Sequence, residues 1–185
     1  GLGETAAQAV GEFYLPLGAK SPLPSSPESS ALSLAGKVDN LVSHFLLGLV
    51  PSGSADPHGL RRHAMGIARI ILENNISLDL KAVCRNAPAT VPLNSEPLVQ
   101  LLDFIWQRAE AQFAEEGFRF DEIKAVREFF MREGNLLDCR RRIADLHSVR
   151  ENPDFGAIAT AFKRAKNILK QAKFDTCIHA RPRVV

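Results

Sequence analysis

The residues of this chain with chemistry to offer are five histidines, three cysteines and three clusters of cations. His44, His58, His63, His147 and His179 form no H-E-x-x-H pair. The five-residue step from His58 to His63 puts them on different sides of a helix. Zinc sites need organised ligand spacing, and Cys84, Cys139 and Cys177 are too scattered to supply it. The expectation is no metal site, no disulfide framework and reduced thiols. No G-x-S-x-G, no G-x-x-x-x-G-K-[ST] and no G-x-G-x-x-G after a strand occurs either. Neither catalytic residues nor a bound cofactor are therefore expected. Trp106 and Tyr14 stand alone, which gives no stacking platform for single-stranded nucleic acid.

What remains is charge. The formal net charge is +2, but residues 1–118 carry −4 and residues 119–185 carry +6. A basic C-terminal third suits an acidic partner such as RNA, and equally suits a solvated surface. Its cations fall into two groups, Arg140, Arg141 and Arg142, then Lys163, Arg164, Lys166 and Lys170. Helical projection spreads the second group over about half a circumference, which fits phosphate contact better than base reading. The third cluster, Arg61 and Arg62, falls in the first turn of an expected helix, where the helix dipole disfavours cations. Asp39, Asp56 or an external anion must compensate. Asp39 is a lone acid in an otherwise apolar helix, and a buried carboxylate needs partners. Asp39 with Arg61 or Arg62 is the expected structural ion pair.

The elements that place these residues read as helices throughout. Thr5 to Phe13 suits a short one. Ser26 caps the next with Pro27 at its first position, and Leu34, Val38, Leu41, Val42, Phe45 and Leu49 recur at helical steps until Gly48 and Pro51. Asp56-Pro57 signals another start, with Leu60, Ala64, Ile67 and Ile71 on one face and Asn74-Asn75 at the end. A short helix at Asp79 to Asn86 turns Leu80, Val83, Cys84 and Ala87 inward. Ser95 caps a long one with the stripe Leu98, Leu101, Leu102, Ile105, Ala109 and Phe113, closed by Gly117. Asp121, Asn135 and Asn152-Pro153 open three more. Their inward residues are Ile123, Val126, Phe129 and Phe130, then Leu136, Cys139, Ile143 and Leu146, then Phe155, Ile158, Ala159, Phe162 and Leu169. Period-two alternation is absent, so the fold class is all-α, a bundle of six to eight helices. No apolar run approaches the ~18 residues of a membrane span, and no signal peptide is visible. The tail 174–185 lacks a helical stripe and should fray.

Two blocks carry a family resemblance. Leu34-Ala-Gly-Lys-Val-Asp-Asn-Leu-Val42 and Ala55-Asp-Pro-His-Gly-Leu-Arg-Arg-His-Ala-Met-Gly-Ile-Ala-Arg-Ile70 resemble the β subunit of bacterial (α2β2) glycyl-tRNA synthetase. That family shows A-D-K-x-D-x-L-V, then D-P-[FY]-[AG]-L-R-R-x-A-x-G-x-x-R-I. Asp56, Pro57, Gly59, Leu60, Arg61, Arg62, Ala64, Gly66, Arg69 and Ile70 match, while His58 stands for the usual aromatic and Gly36 for the usual acid. Ile76-Ser-Leu-Asp-Leu80 and Ala161-Phe-Lys-Arg-Ala-Lys-Asn-Ile-Leu169 are also similar in order and spacing.

The resemblance implies a fragment of a longer cytoplasmic chain. Residues 1–75 would be the C-terminal part of an HD-like helical domain, and 76–173 a helical body. The His-Asp part of the HD signature would lie upstream. Asp39 would match its last acid, and one ligand cannot hold a metal. The implied partners are glycine tRNA and the α subunit, with neither membrane nor DNA. ATP and magnesium belong to the holoenzyme, and glycine activation to the α subunit. Arg140, Arg141, Arg142, Lys163, Arg164, Lys166 and Lys170 are the candidates for the tRNA backbone. The competing readings are a truncated HD-type metal-dependent phosphohydrolase, which the missing paired histidines disfavour, and a non-enzymatic helical interaction module.

Overall fold

The computed structural model describes residues 3–87, 95–150 and 152–171, except the side chains of Ser95, Lys170 and Gln171. The expected tail 174–185 lies outside the described residues. Among those described there are eight helices and no strand, as the sequence reading expects. They are α1 (Glu4–Gly11), α2 (Pro27–Leu46), α3 (Leu60–Glu73), α4 (Leu80–Arg85), α5 (Ser95–Glu115), α6 (Phe120–Glu133), α7 (Leu136–Arg150) and α8 (Pro153–Gln171). The chain forms two compact units, residues 1–145 and 146–185. In the first, α3 packs against both α2 and α5, with α1 on α2, α6 on α5 and α4 against α2 and α5. That core is continuous across residue 75.

Sequence accounts for most of the core. Leu60, Ala64, Ile67 and Ile71 on α3 are each fully buried, and so are Leu101, Ile105, Ala109 and Phe113 on α5. Ser26 accepts the Ser29 amide at 3.1 Å ahead of Pro27, the expected cap of α2. Trp106 is isolated in sequence but not in space. It is fully buried, stacked on Phe130 at 5.2 Å and tilted against Phe113 at 5.9 Å. Cys84 and Cys139 are free and buried, and burial pushes each thiol up to about 12, so neither is a nucleophile.

Several boundaries and faces differ from expectation. Gly59 adopts a left-handed conformation at φ 65°, so α3 starts at Leu60 and not at Pro57. Arg119, not Asp121, is the N-cap of α6, where Glu122 accepts the Arg119 amide at 3.0 Å. Phe129 is half-buried beneath the Arg142 guanidinium, 3.8 Å from its ring centre. On α8, Ile158, Phe162 and Leu169 form the expected stripe but are 65%, 70% and 62% exposed. Among the described residues of its unit no other full helix is present to cover that face.

The close approach of α2 and α3 turns on one buried cation. Lys37 is 4% exposed and crosses over Gly66, where a Cβ would lie 2.6 Å from its Cε. Its ammonium donates to Leu15 O at 2.8 Å, Tyr14 O at 3.3 Å and Ser33 Oγ at 2.8 Å, all neutral acceptors. Burial lowers its pKa from 10.5 to about 8. A second tight place is the turn between α6 and α7. Gly134 has φ 71°, its carbonyl accepts the Leu80 amide at 3.0 Å, and a Cβ there would lie 2.6 Å from Lys81 N.

Two outcomes follow for stability. Gly134→Ala should cost at least ~1–2 kcal/mol in urea melts, because a left-handed alanine is strained and its methyl strikes backbone. For Lys37 the folded pKa lies below the unfolded value, so between pH 8 and 10.5 the unfolded chain holds more protons. Stability should therefore rise with pH across that window, and Lys37→Met should remove the rise. Parallel slopes for the two chains would show that Lys37 does not titrate as its burial demands.

Candidate functional site

The expected pair of Asp39 with Arg61 or Arg62 does not form. Asp39 is exposed, on the same side of α2 as the exposed Ala31, Leu32 and Ala35. The compensating acid at the α3 N-terminus is Asp56. Its carboxylate accepts the Leu60 amide at 2.8 Å and the Arg61 amide at 3.0 Å. The Arg61 guanidinium donates backward to Gly53 O at 2.6 Å and Ala55 O at 3.2 Å, pinning the loop before the helix. Arg62 is exposed, and its side chain makes no hydrogen bond or ion pair among the described residues.

The triple Arg140, Arg141 and Arg142 is not one patch. Successive helical residues point about 100° apart, and each of these meets different surroundings. Arg140 pairs with Glu116 at 2.8 Å and donates to Leu72 O at 3.3 Å. Arg142 pairs with Asp138 at 3.0 Å over the Phe129 ring. Only Arg141 is exposed and unpaired among the three. On α8, Lys163, Arg164 and Lys166 are exposed and form no ion pair among the described residues. The Lys170 side chain lies outside the described residues.

The structure also assembles cations that sequence spacing does not connect. Arg61, Arg62 and Arg69 of α3 and Arg108 of α5 line one groove of about 570 Å3 between these helices, with Met65, Ala111 and Gln112 on its walls. Arg69 donates to Gly18 O and Ser21 O, both at 2.9 Å, and pairs with Glu73 at 2.7 Å, so it straps the 18–21 loop to α3. Arg108 lies over the Phe104 ring at 4.9 Å and meets no carboxylate at ion-pair distance among the described residues. Burial, and then the nearby charge of Arg61, push its pKa down, with Asp56 opposing. Sequence reasoning passed over Arg108 and Lys37. Lys37 leaves two traces, its place in the first family block and a helix position spaced with Ser33, Leu34 and Leu41 on the buried side.

The histidines gather more than their spacing suggests. His44 and His58 have ring centres 4.7 Å apart. His63 is half-buried, and burial lowers its pKa, followed by the charges of Lys37, His44 and Arg62 against the opposing Asp56. Among the described residues no three metal-capable side chains converge. No described helix is long and apolar enough to cross a membrane.

Comparison with known proteins bears on this arrangement. Residues 1–128 match the family model of the glycyl-tRNA synthetase beta subunit. The glycine–tRNA ligase beta subunit of Nitratidesulfovibrio vulgaris is 37% identical over 177 residues, 91% of this chain and 25% of that protein. That of Leptothrix cholodnii is 35% identical over 189 residues, 98% of this chain and 26% of its own length. That of Ectopseudomonas mendocina is 37% identical over 170 residues, covering 90% and 25% respectively. The chain thus spans about a quarter of the length of the curated relatives it matches.

Asp56 closes two of the orphan amides that begin α3, whose face is the centre of the core. Asp56→Ala should lower stability by about 1–2 kcal/mol, as loss of a helix cap does. Asp39→Ala should change it by less than about 0.5 kcal/mol, as for an unengaged surface residue. Urea melts of the two variants check the reassignment, and the reverse ranking would restore Asp39 as the partner.

Proposed function

The chain belongs to the glycyl-tRNA synthetase β-subunit family, and from that we propose that it is a piece of the β subunit of a glycine–tRNA ligase. In this reading the parent enzyme is cytoplasmic and joins glycine to its tRNA with ATP and magnesium. The α subunit activates glycine, while this piece scaffolds the assembly and touches the tRNA backbone. Residues 1–75 are then the later part of an HD-like domain, and the helices beyond them its body.

The observation that carries the reading is how the D-P-x-G-L-R-R block is used. Asp56 caps α3, Gly59 makes the left-handed entry, Leu60 is fully buried and Arg61 pins the preceding loop. Further along, Gly66 lies under Lys37 and Arg69 straps the 18–21 loop. These matched residues have work in folding. That supports a scaffold more than a catalytic centre. The free surface cations Arg141, Lys163, Arg164 and Lys166 supply the means of holding phosphate.

Salt dependence tests this. Replacing Lys163, Arg164 and Lys166 together by Ala should weaken glycine tRNA and unrelated tRNAs by similar factors, since phosphate contacts carry no sequence information. The slope of log K against log salt should flatten by up to about 2–3 units, if each cation meets one phosphate. An unchanged slope would return these residues to plain solvation and remove the tRNA contact from α8.

A further inference from the structure

We propose that the apolar face of α8 docks on a helix elsewhere in the parent β chain, one that sets apolar side chains against Phe162 and a carboxylate against Lys166. The proposal rests on the reading of this chain as a piece of a longer β subunit.

The face is sharply defined. At about 100° per residue, Phe155, Ile158, Ala159, Ala165, Lys166 and Leu169 all fall within about 60° of Phe162. Ile158, Phe162 and Leu169 are 65%, 70% and 62% exposed, although large apolar side chains at this spacing are the mark of a face turned to a core. α8 is 19 residues long, and in proteins a helix draws most of its stability from packing such a face. Among the described residues of 146–185 no other full helix is present to cover it. Contiguous exposed apolar surface of this kind marks a contact site.

Charge says what covers it. Lys166 stands inside the apolar arc, exposed and without an ion pair among the described residues. A purely apolar cover would strip its water and return nothing, so the covering surface needs a carboxylate there. An RNA backbone supplies the anion but gives Ile158 and Leu169 nothing to pack on. An anionic bilayer suits the stripe, yet Asp154 lies about 80° from Phe162 on the other flank, where such a surface repels it. A second copy of α8 would bring Lys163, Arg164 and Lys166 with Asp154 as its one acid. A protein helix with an apolar stripe and an acid at its margin meets every requirement.

Length supplies the source. The match to the Leptothrix cholodnii β subunit takes in 98% of this chain, too much to leave out α8, and 26% of that protein. There the matching segment belongs to one polypeptide whose other three quarters, roughly, lie outside the match. A surface on the same polypeptide is held at high effective concentration, which a separate partner is not. With the face covered, Lys163 and Arg164, about 100° and 160° from Phe162, stay outward for phosphate.

The test compares amide hydrogen exchange of α8 in the 185-residue chain and in the whole parent β chain. Protection should be at least ~100-fold greater in the whole chain. Phe162→Asp should erase the difference, and Asn167→Asp, the same charge on the outward side, should keep it. Lys166→Glu should cut the protection about tenfold, as for one lost charge-assisted contact, and Lys166→Arg should preserve it. Both sites are exposed in the 185-residue chain, so its urea midpoint should not move with any of these changes, which separates undocking from misfolding. Equal exchange of α8 in the two chains overturns the docking. So does protection that grows with the concentration of the 185-residue chain, which means a second copy. Protection of α8 that appears only with phosphatidylcholine–phosphatidylglycerol vesicles, or only with tRNA, overturns it in favour of a bilayer or of RNA. A whole chain that protects α8 but, with its α subunit, charges no tRNA with glycine keeps the docking and sinks the ligase reading. Charging with α8 unprotected does the reverse.

Discussion

An ammonium ion with no counter-ion among the described residues sits where the first three helices meet, and much of the first unit is arranged to tolerate it. Lys37 is surrounded by the carbonyls of Tyr14 and Leu15 and the hydroxyl of Ser33. Neutral dipoles replace only part of the hydration that an ammonium loses, so the ion is held at a cost to its charged form. Its stem requires a neighbour without a side chain, and Gly66 on α3 provides the gap. Ser33 extends the same set, donating to Leu15 O at 2.5 Å. The chain between α1 and α2 is thereby drawn onto α2 and α3 through polar atoms. Apolar contact alone would have left that loop free to slide.

Most of the helical framework was legible because it rests on period and capping, which are local. The stripes of α3 and α5 repeat at three- and four-residue steps and are buried as that spacing demands. Ser26 and Asp79 cap as their types suggest. The misreadings share a cause. Pro57 looked like a first helical residue because the left-handed turn at Gly59 leaves no local mark. Asp39 looked buried because its helix is rich in alanine and leucine, yet only one side of α2 meets a neighbour. The stripe on α8 has the spacing of a core face and is exposed. Period tells that a face is apolar and cannot tell what covers it.

The site was less legible than the fold because charge acts through space. A run such as Arg140, Arg141 and Arg142 looks like one basic patch on the page. A helix sends the three to Glu116, to solvent and to Asp138. Conversely, Arg62 and Arg108 are far apart in sequence and belong to one groove. Their separation is bridged by the packing of α3 on α5, which no spacing rule encodes. The family blocks partly repaired this. They drew attention to the residues 55–70, where Arg61, Gly66 and Arg69 all turned out to hold the scaffold together.

The strap from Arg69 to the 18–21 loop has a consequence for how the groove meets a guest. Gly18 and Ala19 line one side of it, and the loop's two carbonyls are tied to the helix that carries Arg61 and Arg62 on another. The sides therefore move as one piece. Association is penalised by every torsion it must freeze, and a cleft whose margins are already tied to one helix has few left to freeze. Shape, in such a cleft, is settled at folding. A guest then loses chiefly its own freedom on entering, so small rigid molecules have less to lose there than long flexible ones.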